Sequence, residues 1–227
     1  SLNMPNLKIV NFPQNIGVYK AFNSLFEYVE GEFFMWFGAD DIMGNNMIYN
    51  MSSYLINNEK SSVVGTQFAV INDKADKVLK HFDKYYLAKG IRMWKTDVWT
   101  KKIGSFQEWV CAADYEANQR ALHSHKINCE YDGDSYYCYR KHPNALTVKK
   151  NTKPGSNIRK NYLSIIKDNN KKYKNGYICP PLENRVYDNF DVTCIGESNT
   201  LKDDIYNRIN KTRNMCEQWR KKYVKNS

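Results

Sequence analysis

The sequence predicts an α/β fold, a mostly parallel sheet flanked by helices with a helical C-terminal extension. Two observations lead there. The run "FFMWF" at residues 33–37 is apolar without alternation, the pattern of a strand covered on both faces of a largely parallel sheet. The segments around it read strand, amphipathic helix, strand with short connections, which is a βαβ unit. At 227 residues and 42% hydrophobic content, the chain can bury one substantial core.

Element by element, "LKIVNF" at 7–12 reads as a strand, turned by Pro13 and "NIG". Apolar residues at 18, 21, 22, 25, 26 and 29 mark one face of a helix that stops at Gly31. After the apolar run, 45–56 is predicted as helix and 61–71 as strand, while 72–90 is polar and irregular. Residues 90–106 read as a short strand and a helix ended by Gly104. A helix over 112–123 and strands near 127–131 and 135–141 follow. Residues 143–157, with Pro143, Pro154 and Gly155, read as a loop, and 157–173 as a helix before the break at Pro180 and Pro181. A last helix over about 200–224 carries a stripe of Ile205, Ile209, Thr212, Cys216, Trp219 and Tyr223, expected to pack on the domain.

The net charge of +10 is unevenly placed. Residues 1–100 hold 10 basic and 10 acidic side chains, which leaves 24 and 14 for the rest. The excess is densest from Arg140 to Lys174, where Asp168 is the only acid. Such a field favours an anionic partner: nucleic acid, a phosphorylated metabolite or an anionic membrane surface. A solubilising, Lys-rich surface is the alternative reading. Nucleic acid ranks last, because most aromatics sit in core-like positions instead of alternating with exposed cations.

The six cysteines form no C-x-x-C pair, which argues against a zinc site or a disulfide scaffold and for reduced thiols in a cytoplasmic protein. No apolar stretch approaches the ~18 residues of a spanning helix, and no signal peptide is evident. The sequons at Asn50 and Asn210 are therefore read as chance.

The apolar run ends on Asp40 and Asp41. Ligands of open α/β sheets bind outside the carboxyl ends of the strands. Two adjacent carboxylates there repel each other unless a cation or several donors lie between them, and a hard divalent ion bridging to substrate phosphates would serve. Taken alone, the pair reads first as capping or solvated turn acids before the helix at 45.

The order "NIGVYKAFN", helix, "GEFFMWFGADD", then "IGSFQEWVCAADYEANQRA" and "YRKH" resembles family 2 inverting glycosyltransferases of the GT-A fold, a Rossmann-like architecture. The matching positions are Asn15, Gly17, Ala21, Asn23, Gly31, Glu32, Asp40 and Asp41, and the resemblance spans about residues 7–147. It implies transfer of a sugar from a nucleotide-diphosphate sugar to an acceptor hydroxyl with inversion, assisted by Mn2+ or Mg2+. The alternative is a non-catalytic nucleotide-sugar or carbohydrate-binding relative.

The family's Asp-x-Asp, which holds the metal, has Gly38 at its first position here. If the strand stays extended, 38 and 40 point to one side and 41 to the other. Asp40 then becomes the metal candidate and Asp41 a positioning or ribose contact. The family's Glu-Asp falls on Ala113 and Asp114, leaving Asp114 as general base in the first turn of a helix, whose positive end favours a negative charge. Arg140 and His142 match an Arg-x-His element: the guanidinium suits the diphosphate, and the imidazole is a second metal ligand. Trp109 is expected either to stack on an acceptor sugar or to sit in the core. Asn15 and Gly17 shape a turn that lies beside the nucleotide pocket in the family.

The organisation expected is a GT-A-like core over 1–147 and a basic, mainly helical extension over 148–227 packed on it. That extension could draw the donor, or a membrane-bound acceptor, to a cytoplasmic protein peripheral to a membrane. In the family, one or two further βα units normally precede the strand at 7–12. Hence either the chain is a fragment or it lacks a complete donor pocket.

Overall fold

The computed structural model describes residues 7–82, 91–183 and 191–195, together with positions 214 and 218. In chain order the elements are β1 (Leu7–Asn11), α1 (Val18–Phe26), β2 (Phe33–Met35), β3 (Ile42–Met43), α2 (Met47–Asn57), β4 (Val63–Ile71), β5 (Val78–Phe82) and β6 (Arg92–Lys95). There follow α3 (Thr96–Val98), which runs on as a π-helical turn over Trp99–Ile103, then α4 (Ala113–Ser124), β7 (Glu130–Arg140), α5 (Asn157–Lys174) and β8 (Asp191–Ile195). Apart from positions 214 and 218, the helix expected over 200–224 lies outside the described residues.

The main sheet has the order β2-β6-β4-β7-β3. β4 is its spine. One side pairs in parallel with β7; the other pairs antiparallel with β6 through Val63–Gly65 and with β5 through Phe68–Ile71. The α/β class with helices on the sheet is as predicted, but the pairing differs from a mostly parallel sheet. Among the described strands of this sheet, only β4 and β7 are parallel neighbours. The βαβ unit is also corrected: β1 lies outside this sheet and pairs antiparallel with β8.

Local chemistry accounts for part of this. The chain leaves β4 through a turn in which the Asn72 side-chain oxygen accepts from the backbone N–H of Asp76 and Lys77. That turn sends β5 back along β4, where Phe82 stacks on Phe68 with ring centroids 4.3 Å apart. β7 is one strand instead of two. Thr66 pairs with Asp132 and Gln67 with Tyr136, so residues 133–135 bulge out, held by Gln67 Nε2 donating to the Gly133 carbonyl.

The apolar run does face two cores. Phe34 and Trp36 pack with Phe22, Phe26, Trp99 and Phe106 of one cluster, which also takes in Ala113 and Ala117 of α4. Phe33, Met35 and Phe37 pack on the other, built on Met47, Met51 and Leu55 of α2. Helices on both faces leave no wet side, which is why the run does not alternate.

α5 packs on α4, and the chain after it returns across the core. Leu182 donates its backbone N–H to the Ile103 carbonyl, and Cys179 donates its own to Ser124 Oγ. Gly104, at φ 76°, permits this: a Cβ there would fall 2.0 Å from the Leu182 carbonyl oxygen.

Candidate active site

β2 ends at Met35 and the chain does not continue extended. Asp41 N–H donates to the Gly38 carbonyl at 3.1 Å, closing a turn. A Cβ at Gly38 would stand 2.7 Å from Asp40 Oδ1 and 3.3 Å from Asp41 Oδ2, so both carboxylates fold back over residue 38. The expectation that 41 points away from 38 and 40 is thereby corrected, because the side-chain alternation of a strand does not apply inside a turn.

The last residues of β7 and the two that follow relieve the repulsion. His142 Nε2 lies 2.7 Å from Asp40 Oδ2, and the Arg140 backbone N–H donates to Asp41 Oδ1 at 2.9 Å. The two pairs differ in exposure. The Asp40 side chain is 39% exposed and that of His142 20%. Asp41 lies deeper, and burial pushes its carboxyl up to about 7. The Arg140 N–H opposes that rise, the charge of Asp40 adds to it, and the charges of Arg140 and His142 also oppose it. The Arg140 side chain is half-buried, and its Nε has no hydrogen-bond partner among the described residues.

The second group of residues is built on α4. Ala112 takes a left-handed φ of 67°, which turns the chain into the helix. Ala113 is fully buried in the aromatic cluster of α1 and β2. A glutamate there would have to bury a charged side chain among packed aromatic rings, a physical reason for the alanine. Asp114 is exposed, and its Oδ1 accepts a hydrogen bond from Tyr19 OH at 2.6 Å. Tyr19 is buried, and burial together with the Asp114 charge holds its phenol well above its ordinary value, so it remains a donor. Asn15 and Gly17 set up this contact from a distance. Asn15 Oδ1 accepts from Gly17 N–H at 2.9 Å, and Gly17 at φ 88° opens α1 two residues before Tyr19.

Two residues of the site are absent from the sequence-based assignment. One is Tyr19, which lies on the apolar helix of "NIGVYKAFN". The other is Arg159, in the first turn of α5, whose Nε donates to the Thr152 carbonyl at 2.7 Å. The charge of Arg159 reaches Tyr19 and Cys111 beside Asp114, and Tyr139 on β7. Tyr139 lies also in the field of Asp40 and Asp41. Arg159 is thus the cation of α5 whose field reaches groups on α1, ahead of α4 and on β7. Its only advance signal was membership of the basic stretch. Trp109 is half-buried against the aromatic cluster, and Tyr162 of α5 stacks on one face of its ring, with centroids 4.4 Å apart.

Among the described residues no three His, Cys, Asp or Glu side chains come together as a metal cluster. Asp40 and His142 supply two donors on one edge, which fits an ion completed by diphosphate oxygens and water but not one caged by protein.

The family model for glycosyl transferase family 2 matches residues 2–112, from before β1 to the residue ahead of α4, and this part of the chain belongs to that family. The chain thus carries a glycosyltransferase domain, and glycosyl transfer is the activity of its class. Asp114, Arg140, His142 and Arg159 lie beyond the matched residues. No curated protein matches the chain. Among the described residues, no helix is long and apolar enough to cross a membrane.

Proposed function

We propose that the chain transfers a sugar from a nucleotide-diphosphate sugar to an acceptor hydroxyl with inversion. The observation that carries this reading is the contact of Asp40 with His142, 102 residues apart in sequence, within a chain whose residues 2–112 match glycosyl transferase family 2. Asp114 is the general base. One of its oxygens is tied to Tyr19, and the other takes the acceptor proton as the acceptor oxygen attacks the anomeric carbon. The bond from that carbon to the diphosphate oxygen breaks, and the nucleoside diphosphate leaves from the opposite face.

Arg140 meets the diphosphate with its guanidinium fork, and Asp41 positions the donor from below. Asp40 and His142 would hold a divalent ion, which when bound would supply positive charge against the leaving diphosphate. One carboxylate and one imidazole suit Mn2+ better than Mg2+, which prefers oxygen ligands. Asn15 and Gly17 border the nucleotide pocket, and the free side of Trp109 borders the acceptor.

A second reading is a nucleotide-sugar binder without turnover. It is favoured by Gly38 and by the two-donor metal edge. Thermal unfolding across a panel of nucleotide sugars, with and without Mn2+, tests the donor reading, because a ligand of the folded state raises the unfolding temperature by mass action. Mn2+-dependent stabilisation by at least one nucleotide sugar is expected. Its absence across the panel contradicts the donor site, and stabilisation without any release of nucleoside diphosphate favours the binder.

A further inference from the structure

Beside the base lies a groove that the proposed transfer leaves unassigned. α4 and α5 run side by side in the same direction. Trp109 meets Tyr162 ahead of α4, Asn170 Nδ2 donates to Gln119 Oε1 midway, and the charge of Lys174 reaches His123 at the far end. Between the helices is a groove of about 400 Å³, lined among others by Tyr115, Leu163, Lys167, Asn170, Lys171 and Lys174. Its lining residue on α4, Tyr115, follows Asp114 directly in the first turn of that helix.

Residues 159, 163, 167, 170, 171 and 174 fall on one stripe of α5 by helical spacing, which places Arg159 at the head of the same face. At 1.5 Å per residue, the cations from Arg159 to Lys174 span about 22 Å, too long for one phosphate and suited to an extended anion. Lys171 is held by Asp168 at 3.0 Å, whereas Lys167 and Lys174 have no acidic partner among the described residues. The remaining lining is not purely ionic. Asn170, whose Nδ2 donates to Gln119 Oε1, adds an uncharged polar side chain to the lining. Tyr115 and the 41%-exposed Leu163 offer apolar contact to the C–H face of a sugar ring.

We propose that this groove binds an acidic glycan as the acceptor, with Arg159, Lys167 and Lys174 meeting its anionic groups and Tyr115, Leu163 and Asn170 meeting its rings and hydroxyls. The proposal rests on the reading of Asp114 as base. A concave lining that mixes cations, an amide and apolar side chains distinguishes such a ligand from a flat lipid surface. Among the described residues Tyr115 is the one aromatic side chain lining the groove, which gives no ladder for stacking successive nucleobases.

The test uses the full chain with hexagalacturonate and phosphorylated maltohexaose as acidic probes. Neutral maltohexaose, phosphatidylglycerol vesicles and poly-dT are the alternatives. Lys167 and Lys174 are exposed, so the double charge reversal Lys167→Glu/Lys174→Glu is expected to fold, and a cooperative thermal unfolding transition like that of the unaltered protein checks that it does. Lys167→Gln/Lys174→Gln is a milder second variant. At least one acidic oligosaccharide should bind ten-fold or more tighter than maltohexaose, and the reversal should weaken it at least ten-fold, with the Gln pair in between. Equal binding of maltohexaose, affinity unchanged in both variants, or preference for vesicles or poly-dT overturns the proposal. Failure of every nucleotide sugar to bind would sink the donor reading instead, and leaves the groove's result readable.

Discussion

The acidic turn and the head of α4 each present a carboxylate to the same edge of the fold, but they hold it differently. Asp40 and Asp41 sit on a turn over Gly38 and are balanced by charge and one backbone N–H. Asp114 sits on a helix whose first residue is locked into the aromatic core, with its oxygen fixed by a buried tyrosine. The difference teaches how the two tasks divide. A diphosphate and its counter-ion can be met by groups that rearrange around them, whereas a base must already be aimed when the acceptor arrives.

The largest effect expected from breaking this contrast is at Asp114, the proposed base. Asp114→Asn keeps the shape and the helix start but removes the proton acceptor. Transfer should fall about 10²–10⁴-fold while nucleotide-sugar stabilisation in a thermal scan stays within error. Next comes the acidic turn. Asp40→Ala removes one of the two proposed metal donors and frees His142, so Mn2+-dependent stabilisation by donor should need roughly 10-fold or more Mn2+. An unchanged Mn2+ titration would show that the ion is not held there.

A smaller change sharpens the comparison. Tyr19→Phe deletes the hydrogen bond that aims Asp114. It should lower kcat several-fold, leave donor affinity unchanged, and cost about 1 kcal/mol of stability by chemical denaturation. Loss of donor affinity instead would mean that the contact serves the nucleotide pocket.

The fourth prediction concerns stability alone. Asp41 has its carboxyl pushed up to about 7, from an ordinary value of 3.8. Between those values the folded state holds a proton that the unfolded state has released, so this group makes stability fall as pH rises from about 4 to about 7. Asp41→Asn should flatten that slope and, without metal or donor, stabilise the protein at pH 7.5 by up to a few kcal/mol. Unfolding curves at pH 5 and 7.5 for both proteins measure it, and an unaltered slope would place Asp41 in solvent.

The helices were readable because their stripes are local. α1, α4 and α5 were each predicted within a few residues, and the continuous apolar run correctly signalled a strand with helices on both faces. Strand direction was not readable, since it depends on partners far away in sequence: β2 pairs antiparallel with β6, and β1 with β8. β5 escaped because "VLKHF" places charged and exposed residues between its two anchors, Val78 and Phe82. At the site, Asp40, His142 and Asp114 were legible as residues. Their geometry was not. Nothing local in "FGADD" announces that the backbone turns at Gly38, and nothing around Arg159 says that its charge reaches Tyr19, the partner of Asp114.

The most direct test of the central claim is the anomeric configuration of the product, read by NMR after incubation with an α-linked donor identified in the thermal screen. The account predicts a β-linked product with wild-type protein and essentially none with Asp114→Asn. An α-linked product, or undiminished transfer by the Asn variant, would contradict it.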